Sequence, residues 1–288
     1  MSDRGAAPWR WLALLVALLW SVLPIYWFVK MAFQTTAEFS LFPPPLFPPD
    51  PQPGAFFNIF GYDYVTASGL ELPASGQSNQ IVAGLINSLV VAVIVTAITM
   101  LVVTPLAYVF ARLQFRFKNQ LLFAILLSVA LPPVSTLIPF YALYVQLDLA
   151  GTRLGLIIVT LTITIPFVTW MLIGYFRNIP PVEQLARIDG FGRVYTLIRI
   201  VIPLSRSGLA VGAVIAFLFS WNEYVYAQVL VTGSDAVTLP AAMSGFLNQF
   251  PQPAHLAASL ALSLVPPALV VFFLQRHITE MNLVDPVR

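Results

Sequence analysis

Six long apolar stretches constrain this chain more than any other feature. They cover about residues 11–29, 81–111, 120–145, 154–176, 208–231 and 256–274. A helix needs roughly 20 apolar residues to cross the hydrocarbon core of a bilayer, and each stretch reaches or approaches that length. Only 9% of the residues are charged, whereas soluble domains carry roughly 25% charged residues. We therefore predict an all-α polytopic membrane protein with six transmembrane helices.

The first apolar stretch, residues 11–29, could be a secretory signal peptide or a retained helix. A signal peptide has a shorter apolar core, followed by a cleavage site with small residues. The stretch is long for such a core, and the residues after it, Lys30-Met31-Ala32-Phe33, form a poor cleavage site. We expect a retained transmembrane helix.

The distribution of basic residues predicts the orientation. Six spans place both termini on one side of the membrane. That side would hold twelve of the 14 Lys and Arg residues, and the other side only Lys30 and Arg153. The twelve are Arg4, Arg10, Arg112, Arg116, Lys118, Arg177, Arg187, Arg193, Arg199, Arg206, Arg276 and Arg288. Basic residues accumulate on the cytoplasmic side of membrane proteins, so we predict that the N and C termini are cytoplasmic.

The predicted outer side includes a long loop, residues 34–80. It is rich in proline, glycine and aromatic residues and contains no Lys or Arg. Its prolines favour extended, stiff backbone over a long helix. The loop could be a docking platform for an extracytoplasmic partner or a lid over the helix ends.

The predicted cytoplasmic side includes a polar segment, residues 180–203, between the fourth and fifth spans. Two prolines open it, and apolar residues then recur at near-helical spacing at Val182, Leu185, Ala186 and Ile188. Glycines break this pattern before a second helical run over residues 194–201. The sequence therefore predicts a short amphipathic helix, a glycine turn and another helix. A helix this short cannot fold alone, so we expect it to dock on another surface.

A polar cluster interrupts the fifth span at Trp221, Asn222, Glu223 and Tyr224. A charged side chain near the middle of a membrane costs roughly 2.5–3.5 kcal/mol on insertion scales. The cluster could lie beside a transport pathway or at a moving helix contact. It could equally be an aromatic belt near the outer interface, with the carboxylate reaching water.

Prolines also occur inside the third, fourth and sixth stretches, for example at Pro133, Pro166 and Pro266. Proline removes a helical hydrogen bond, and the freed backbone groups need other partners in lipid. Broken helices often line transport pathways, but proline also bends helices for packing alone.

The sequence argues against disulfides, metal binding, catalysis, nucleic-acid binding and ATP binding by this chain. There are no cysteines, which excludes disulfides and thiolate metal sites. The two histidines have no ligand-spaced carboxylates or HExxH motif, so we predict no metal site and no catalytic residues. The basic residues lie at the ends of the spans, so they do not indicate binding to nucleic acid. The two lysines, Lys30 and Lys118, do not follow glycine as a phosphate-binding loop requires. ATP, if it drives transport, must be bound by another subunit.

The segment over residues 180–203 resembles the cytoplasmic loop of ABC importer permeases, whose pattern is roughly E-A-A-x-x-D-G-A before a proline-marked run. The corresponding positions here are Gln184, Leu185, Ala186, Asp189, Gly190 and Phe191, with Glu183 one residue ahead. The chain departs from the pattern at Gln184, Leu185 and Phe191. Three other pieces are similar to the maltose-type sugar permeases: Asn87-Ser88, AYVFAR at residues 107–112 and SWNEY at residues 220–224. The resemblance covers about residues 80–280.

The resemblance implies a permease subunit of a binding-protein-dependent importer for a sugar or oligosaccharide, maltose-like or trehalose-like, in a bacterial or archaeal cytoplasmic membrane. It implies a second permease, two ATP-binding subunits and an extracytoplasmic solute-binding protein as partners, with membrane lipid around the spans. It also implies that the short helix transmits ATPase movements. The coupling residues would be Glu183, Gln184, Leu185, Ala186, Asp189 and Gly190.

Two alternatives from other classes remain at this point. An ion-coupled secondary transporter would need ionisable groups deep in several spans, and Glu223 is the clear example here. An intramembrane enzyme would need a recognisable set of catalytic residues, which the sequence does not display.

Overall fold

The computed structural model describes residues 8–130, 132–248 and 251–279. This part of the chain is mostly helical. The helices are α1 (Pro8–Ala32), α2 (Gly54–Asn58), α3 (Ser78–Arg112), α4 (Lys118–Ala130), α5 (Pro133–Gln146), α6 (Arg153–Arg177), α7 (Val182–Ile188), α8 (Arg193–Thr196), α9 (Ile202–Leu204), α10 (Arg206–Trp221), α11 (Val225–Leu230), α12 (Leu239–Met243), α13 (Gly245–Asn248), α14 (Pro253–Ser263) and α15 (Val265–Thr279). The predicted all-α class is confirmed.

The chain divides into two units. The first contains residues 1–82 and 242–265, and the second contains residues 83–241 and 266–288. In the first unit, α1 packs against α14. Most of the surface of α1 is exposed and apolar, as expected for a helix in contact with lipid or another membrane subunit.

The outer loop predicted over residues 34–80 contains local structure in the first unit. A 3-10 helix at Thr36–Ser40 and α2 precede an antiparallel hairpin of β1 (Tyr64–Val65) and β2 (Glu71–Leu72). In this hairpin Tyr64 lies opposite Leu72. As the prolines indicated, the loop contains no long helix, although it is more structured than an extended chain.

Lys30 secures the proline-rich part of this loop. Its ammonium group donates a hydrogen bond of 2.6 Å to the carbonyl of Pro45 and lies 4.0 Å from the centre of the Trp27 ring. The backbone amide of Gln52 donates to the carbonyl of Phe33 over 2.8 Å. These contacts join the loop to the end of α1, and they explain why this one lysine is buried.

The second unit has its core between α3, α6 and α10. Apolar side chains from α3 and α6, including Val103, Ala107, Leu172 and Phe176, form one buried cluster. The approach of α10 to α6 requires glycine at Gly208, because a Cβ atom there would overlap the ring of Tyr175.

Asn87 and Ser88, which the resemblance singled out, attach a later segment to α3 in the second unit. The Asn87 side-chain amide donates to the carbonyls of Asp235 and Val237 over 2.8 and 2.7 Å. The Ser88 hydroxyl accepts from the amide of Leu239 over 2.9 Å. Both side chains are buried, so they satisfy backbone groups that would otherwise lack partners in an apolar environment.

In the described part of the chain, five helices are long and apolar enough to span a membrane: Trp9–Ala32, Ser78–Arg112, Arg153–Arg177, Arg206–Leu230 and Pro253–Arg276. The stretch expected to form the third span, residues 120–145, is not one straight helix. It consists of Lys118–Ser128 and Pro133–Gln146, which meet at 89° and make a sixth span only if the pair crosses together. Proline explains the break, because Pro132 has extended backbone and Pro133 starts a new helix.

Candidate functional site

The segment predicted to dock, residues 180–203, begins with α7. Pro181 occupies the position before the helix, and the seven helical residues end at Ile188. Seven residues are too few for a helix that is stable alone in water. The contacts of α7 with the second unit therefore keep it folded.

Arg112, the last residue of α3, makes the most extensive polar contacts with this segment. Its guanidinium donates to the carbonyl of Ile179 and, over 3.2 Å, to that of Pro180. Its Nε atom lies 3.2 Å from the Glu183 carboxylate. Both charged side chains are mostly buried, so the pair is shielded from solvent screening. These contacts hold the start of α7 against the end of α3.

The apolar residues of α7 divide between an inner and an outer face. Ala186 is only 2% exposed, and Val182 packs against the buried cluster of the second unit. In contrast, Leu185 is 66% exposed and Ile188 is 82% exposed. Two large apolar side chains of α7 are therefore exposed in this chain.

The glycine turn after α7 is a Schellman motif. Gly190 has a φ of +82°. The amide of Phe191 donates to the carbonyl of Ala186 over 2.8 Å, and the amide of Gly190 donates to that of Arg187 over 3.2 Å. These two bonds satisfy carbonyls at the end of the helix and require left-handed backbone at Gly190. A Cβ atom at this position would meet nothing within 4 Å, so backbone conformation explains this glycine within the chain.

The second predicted helical run begins with α8 and then changes from α-helical to π-helical hydrogen bonding. Gly192 has ordinary negative φ and precedes α8, where the rings of Phe191 and Tyr195 stack at 4.6 Å. A π-helical turn, Leu197–Val201, then leads to α9, which contains Pro203. Sequence periodicity predicted helix here but could not distinguish the wider π-helical hydrogen bonding.

Asn222, Glu223 and Tyr224, three of the four residues in the polar cluster predicted for the fifth span, lie at a break between α10 and α11. The Glu223 carboxylate accepts hydrogen bonds from the amides of Tyr226 and Ala227, over 2.7 and 2.9 Å, at the start of α11. The charged group that the sequence placed inside the fifth span thus has partners in the first turn of a helix. Asn222 and Tyr224 line the same region, whereas Trp221 is buried and stacks on Phe217.

A cavity of about 450 Å³ adjoins this break. Asn222, Glu223 and Tyr224 line it together with threonines of α6 and the first residue of α5. It is mainly apolar, with a few polar groups, which is the general character of small-molecule sites.

Sequence reasoning missed two features of the α7 region. It noted Arg112 within AYVFAR but did not connect that residue with Glu183, because the two are far apart in sequence and only the fold brings them together. It also did not single out the exposed face that Leu185 and Ile188 share. The spacing of these two apolar residues by three positions was the available signal that they share a helix face.

Comparisons with known proteins agree on the family. Residues 103–280, more than half of the chain, match the family described as "Binding-protein-dependent transport system inner membrane component". The chain is 27% identical over 275 residues to the sulfoquinovosyl glycerol transport system permease protein SmoH of Agrobacterium fabrum, covering 95% of this chain and 91% of that protein. It is 32% identical over 200 residues to the trehalose transport system permease protein SugB of Mycobacterium tuberculosis, covering 68% and 73% of the two chains.

A solved structure shares the fold. It is the crystal structure of a bacterial ABC transporter involved in the import of the acidic polysaccharide alginate. The match has a TM-score of 0.73 and 18% identity and covers 96% of this chain and 99% of the other. Together with the apolar helices, these similarities make the chain a multi-pass protein of the cytoplasmic membrane and favour the importer over the ion-coupled alternative. The chain belongs to the family of inner-membrane components of binding-protein-dependent transport systems.

Proposed function

We propose that this permease imports a carbohydrate, a sugar or oligosaccharide of the trehalose or maltose type. The support is that the relatives SmoH and SugB are named for transport of a sugar glycoside and of trehalose, and that a maltodextrin permease of Bacillus subtilis, MdxG, is 29% identical over 194 residues. The apolar cavity beside Asn222, Glu223 and Tyr224 is a candidate part of the pathway. Tyr224 offers a ring against which a sugar could stack, and Asn222 offers an amide.

We propose that α7 couples this subunit to an ATP-binding subunit, and the exposure of Leu185 and Ile188 is the observation that carries this proposal. An ATPase surface covering these side chains would remove them from water. Within this scheme, the buried Ala186 packs the opposite side of the helix against the permease, and Glu183 fixes the start of the helix through its ion pair with Arg112. Asp189 and Gly190 form its end, while the exposed Gln184 is available to the partner.

Two further partners complete the proposed importer. A second permease would pair with this one and enclose the pathway, and an extracytoplasmic solute-binding protein would dock on the loop over residues 34–80. The loop supports docking through exposed apolar side chains, notably Phe42 at 95% and Phe47 at 73% exposure. Contacts such as those of Lys30 pre-order the loop, which lowers the entropy lost when a partner binds.

Transport by the assembled complex tests the proposed function. The permease, its second permease and the ATP-binding subunits are reconstituted in liposomes with the solute-binding protein. We expect ATP-dependent uptake of radiolabelled trehalose or a maltodextrin, and no uptake when the ATP-binding subunits are omitted. Uptake by the permease alone, driven by an ion gradient, would instead establish the secondary-transporter mechanism.

We further propose that the termini and α7 face the cytoplasm, because of the twelve-to-two distribution of basic residues. The absence of cysteine permits a background-free test. A cysteine at Ser68, which is exposed in the hairpin loop, should react with a membrane-impermeant maleimide in intact cells. Any outer envelope must first be made permeable to the reagent. Cysteines at Ser2 or Thr279 should react only after lysis, and the reverse labelling pattern would refute the proposed topology.

A further inference from the structure

A second cavity, of about 340 Å³, lies between the end of α3, α7 and α8. Its lining includes Tyr108, Arg112, Glu183, Arg187, Phe191 and Arg193. Three arginines and one glutamate make this recess strongly basic. Gln184 also lines it and adds no charge.

The charges of the cavity fall into a paired and an unpaired group. Arg112 and Glu183 form the 3.2 Å ion pair described above, so they neutralise each other. Arg187 and Arg193 are exposed, and neither forms an ion pair within residues 8–130, 132–248 and 251–279. Both side chains nevertheless line the cavity. The recess thus carries two positive charges that no ion pair in the described part of the chain compensates.

The cavity adjoins the surface proposed for the ATP-binding subunit. Arg187 belongs to the same short helix as the exposed Leu185 and Ile188. Phe191, which lines the cavity, stacks on Tyr195 and is itself 41% exposed. Apolar side chains beside arginines are a typical composition for a protein interface, since arginine is enriched there relative to lysine.

We propose that an acidic side chain of the ATP-binding subunit enters this cavity and pairs with Arg187 and Arg193. This inference rests on the proposed coupling role of α7. The carboxylate would supply a compensating negative charge, and the planar guanidinium groups suit two-point binding of a carboxylate. A protein carboxylate is favoured over a lipid headgroup because Arg187 lies on the same short helix as Leu185 and Ile188, the exposed side chains proposed to bind the ATP-binding subunit.

The experiment measures retention of the ATP-binding subunit on detergent-solubilised, tagged permease as sodium chloride increases from about 50 to about 500 mM. We expect the double variant Arg187→Gln/Arg193→Gln to bind about tenfold more weakly at the lower salt concentration and to lose much of the salt dependence. The double lysine variant should recover part of both. Arg199→Glu is the matched control, because Arg199 is an exposed arginine of the same segment that does not line the cavity.

Three outcomes would overturn the inference. Unchanged affinity and salt dependence in the glutamine variant, with binding still lost when Leu185 and Ile188 are replaced, would refute the acidic contact and leave the coupling role intact. If binding in detergent is unchanged but ATPase activity responds to the arginines only in phosphatidylglycerol vesicles and not in phosphatidylcholine vesicles, the ligand is a lipid headgroup. An equal loss of binding in Arg199→Glu would indicate general electrostatic attraction without a specific pocket.

Discussion

Replacing Leu185 and Ile188 together with aspartate is expected to abolish retention of the ATP-binding subunit, while the permease still reaches the membrane. Burying each of these side chains at an interface would contribute about 1.5–3 kcal/mol, so their loss alone should weaken binding more than about 100-fold. The new carboxylates would add a desolvation cost. Membrane insertion should survive, because the hydrophobicity of the spans directs it.

The measurement is co-purification of the ATP-binding subunit with tagged permease, together with ATP-dependent uptake in liposomes. Leu70→Asp is the matched control, since Leu70 is 61% exposed but lies in the loop proposed for the opposite side of the membrane. It should retain the ATP-binding subunit at the wild-type level. Normal retention in the α7 double variant would show that its exposed residues do not form the coupling contact.

Replacing Gly190 is expected to weaken coupling by disturbing the end of α7. A side chain at a φ of +82° introduces backbone strain, typically about 1 kcal/mol or more for residues other than Gly, Asn and Asp. Because the space around Gly190 is open within this chain, Gly190→Ala tests the backbone requirement, and Gly190→Leu adds bulk that a docked partner would meet. We expect Gly190→Ala to reduce transport several-fold and Gly190→Leu to reduce it further, with both proteins inserted in the membrane.

Gly192 provides the matched control for this experiment. It lies two residues away with equally open surroundings, but its φ of −75° suits any L-residue. Gly192→Ala should therefore transport normally, and Gly190→Asn should be milder than Gly190→Ala, because asparagine tolerates left-handed backbone. If Gly190→Leu and wild type show equal uptake and ATPase stimulation, the Schellman motif has no part in coupling.

Glu223 is a residue that the sequence identified as unusual and whose hydrogen-bond partners the sequence did not predict. A carboxylate within an apolar stretch was a reason to expect a pathway or a route to water. In the structure the span is interrupted at residues 222–224, and the carboxylate accepts two amide hydrogen bonds from the next helix. The sequence identified an unusual position, but only the structure provided the partners of the charge.

The amino-acid sequence by itself determined the class of this protein, because long apolar stretches can satisfy their backbone groups in lipid only as helices. It also determined where the short helix α7 lies and that Gly190 follows its end, since proline and glycine act through local backbone conformation. The family followed from motif order and spacing, and the comparisons confirmed it.

Tertiary structure alone decided which side of α7 is covered and how the third apolar stretch bends. Periodicity showed that the apolar residues of α7 share faces, but burial of Ala186 and exposure of Ile188 depend on the position of α3 and α6. The ion pair between Arg112 and Glu183 joins residues whose separation in sequence carries no local signal. The 89° break after Ser128 occurs at Pro132 and Pro133, yet Pro139 and Pro166 lie inside continuous helices, so proline content alone did not indicate where a break would occur. Proline permits a break in a helix without requiring one.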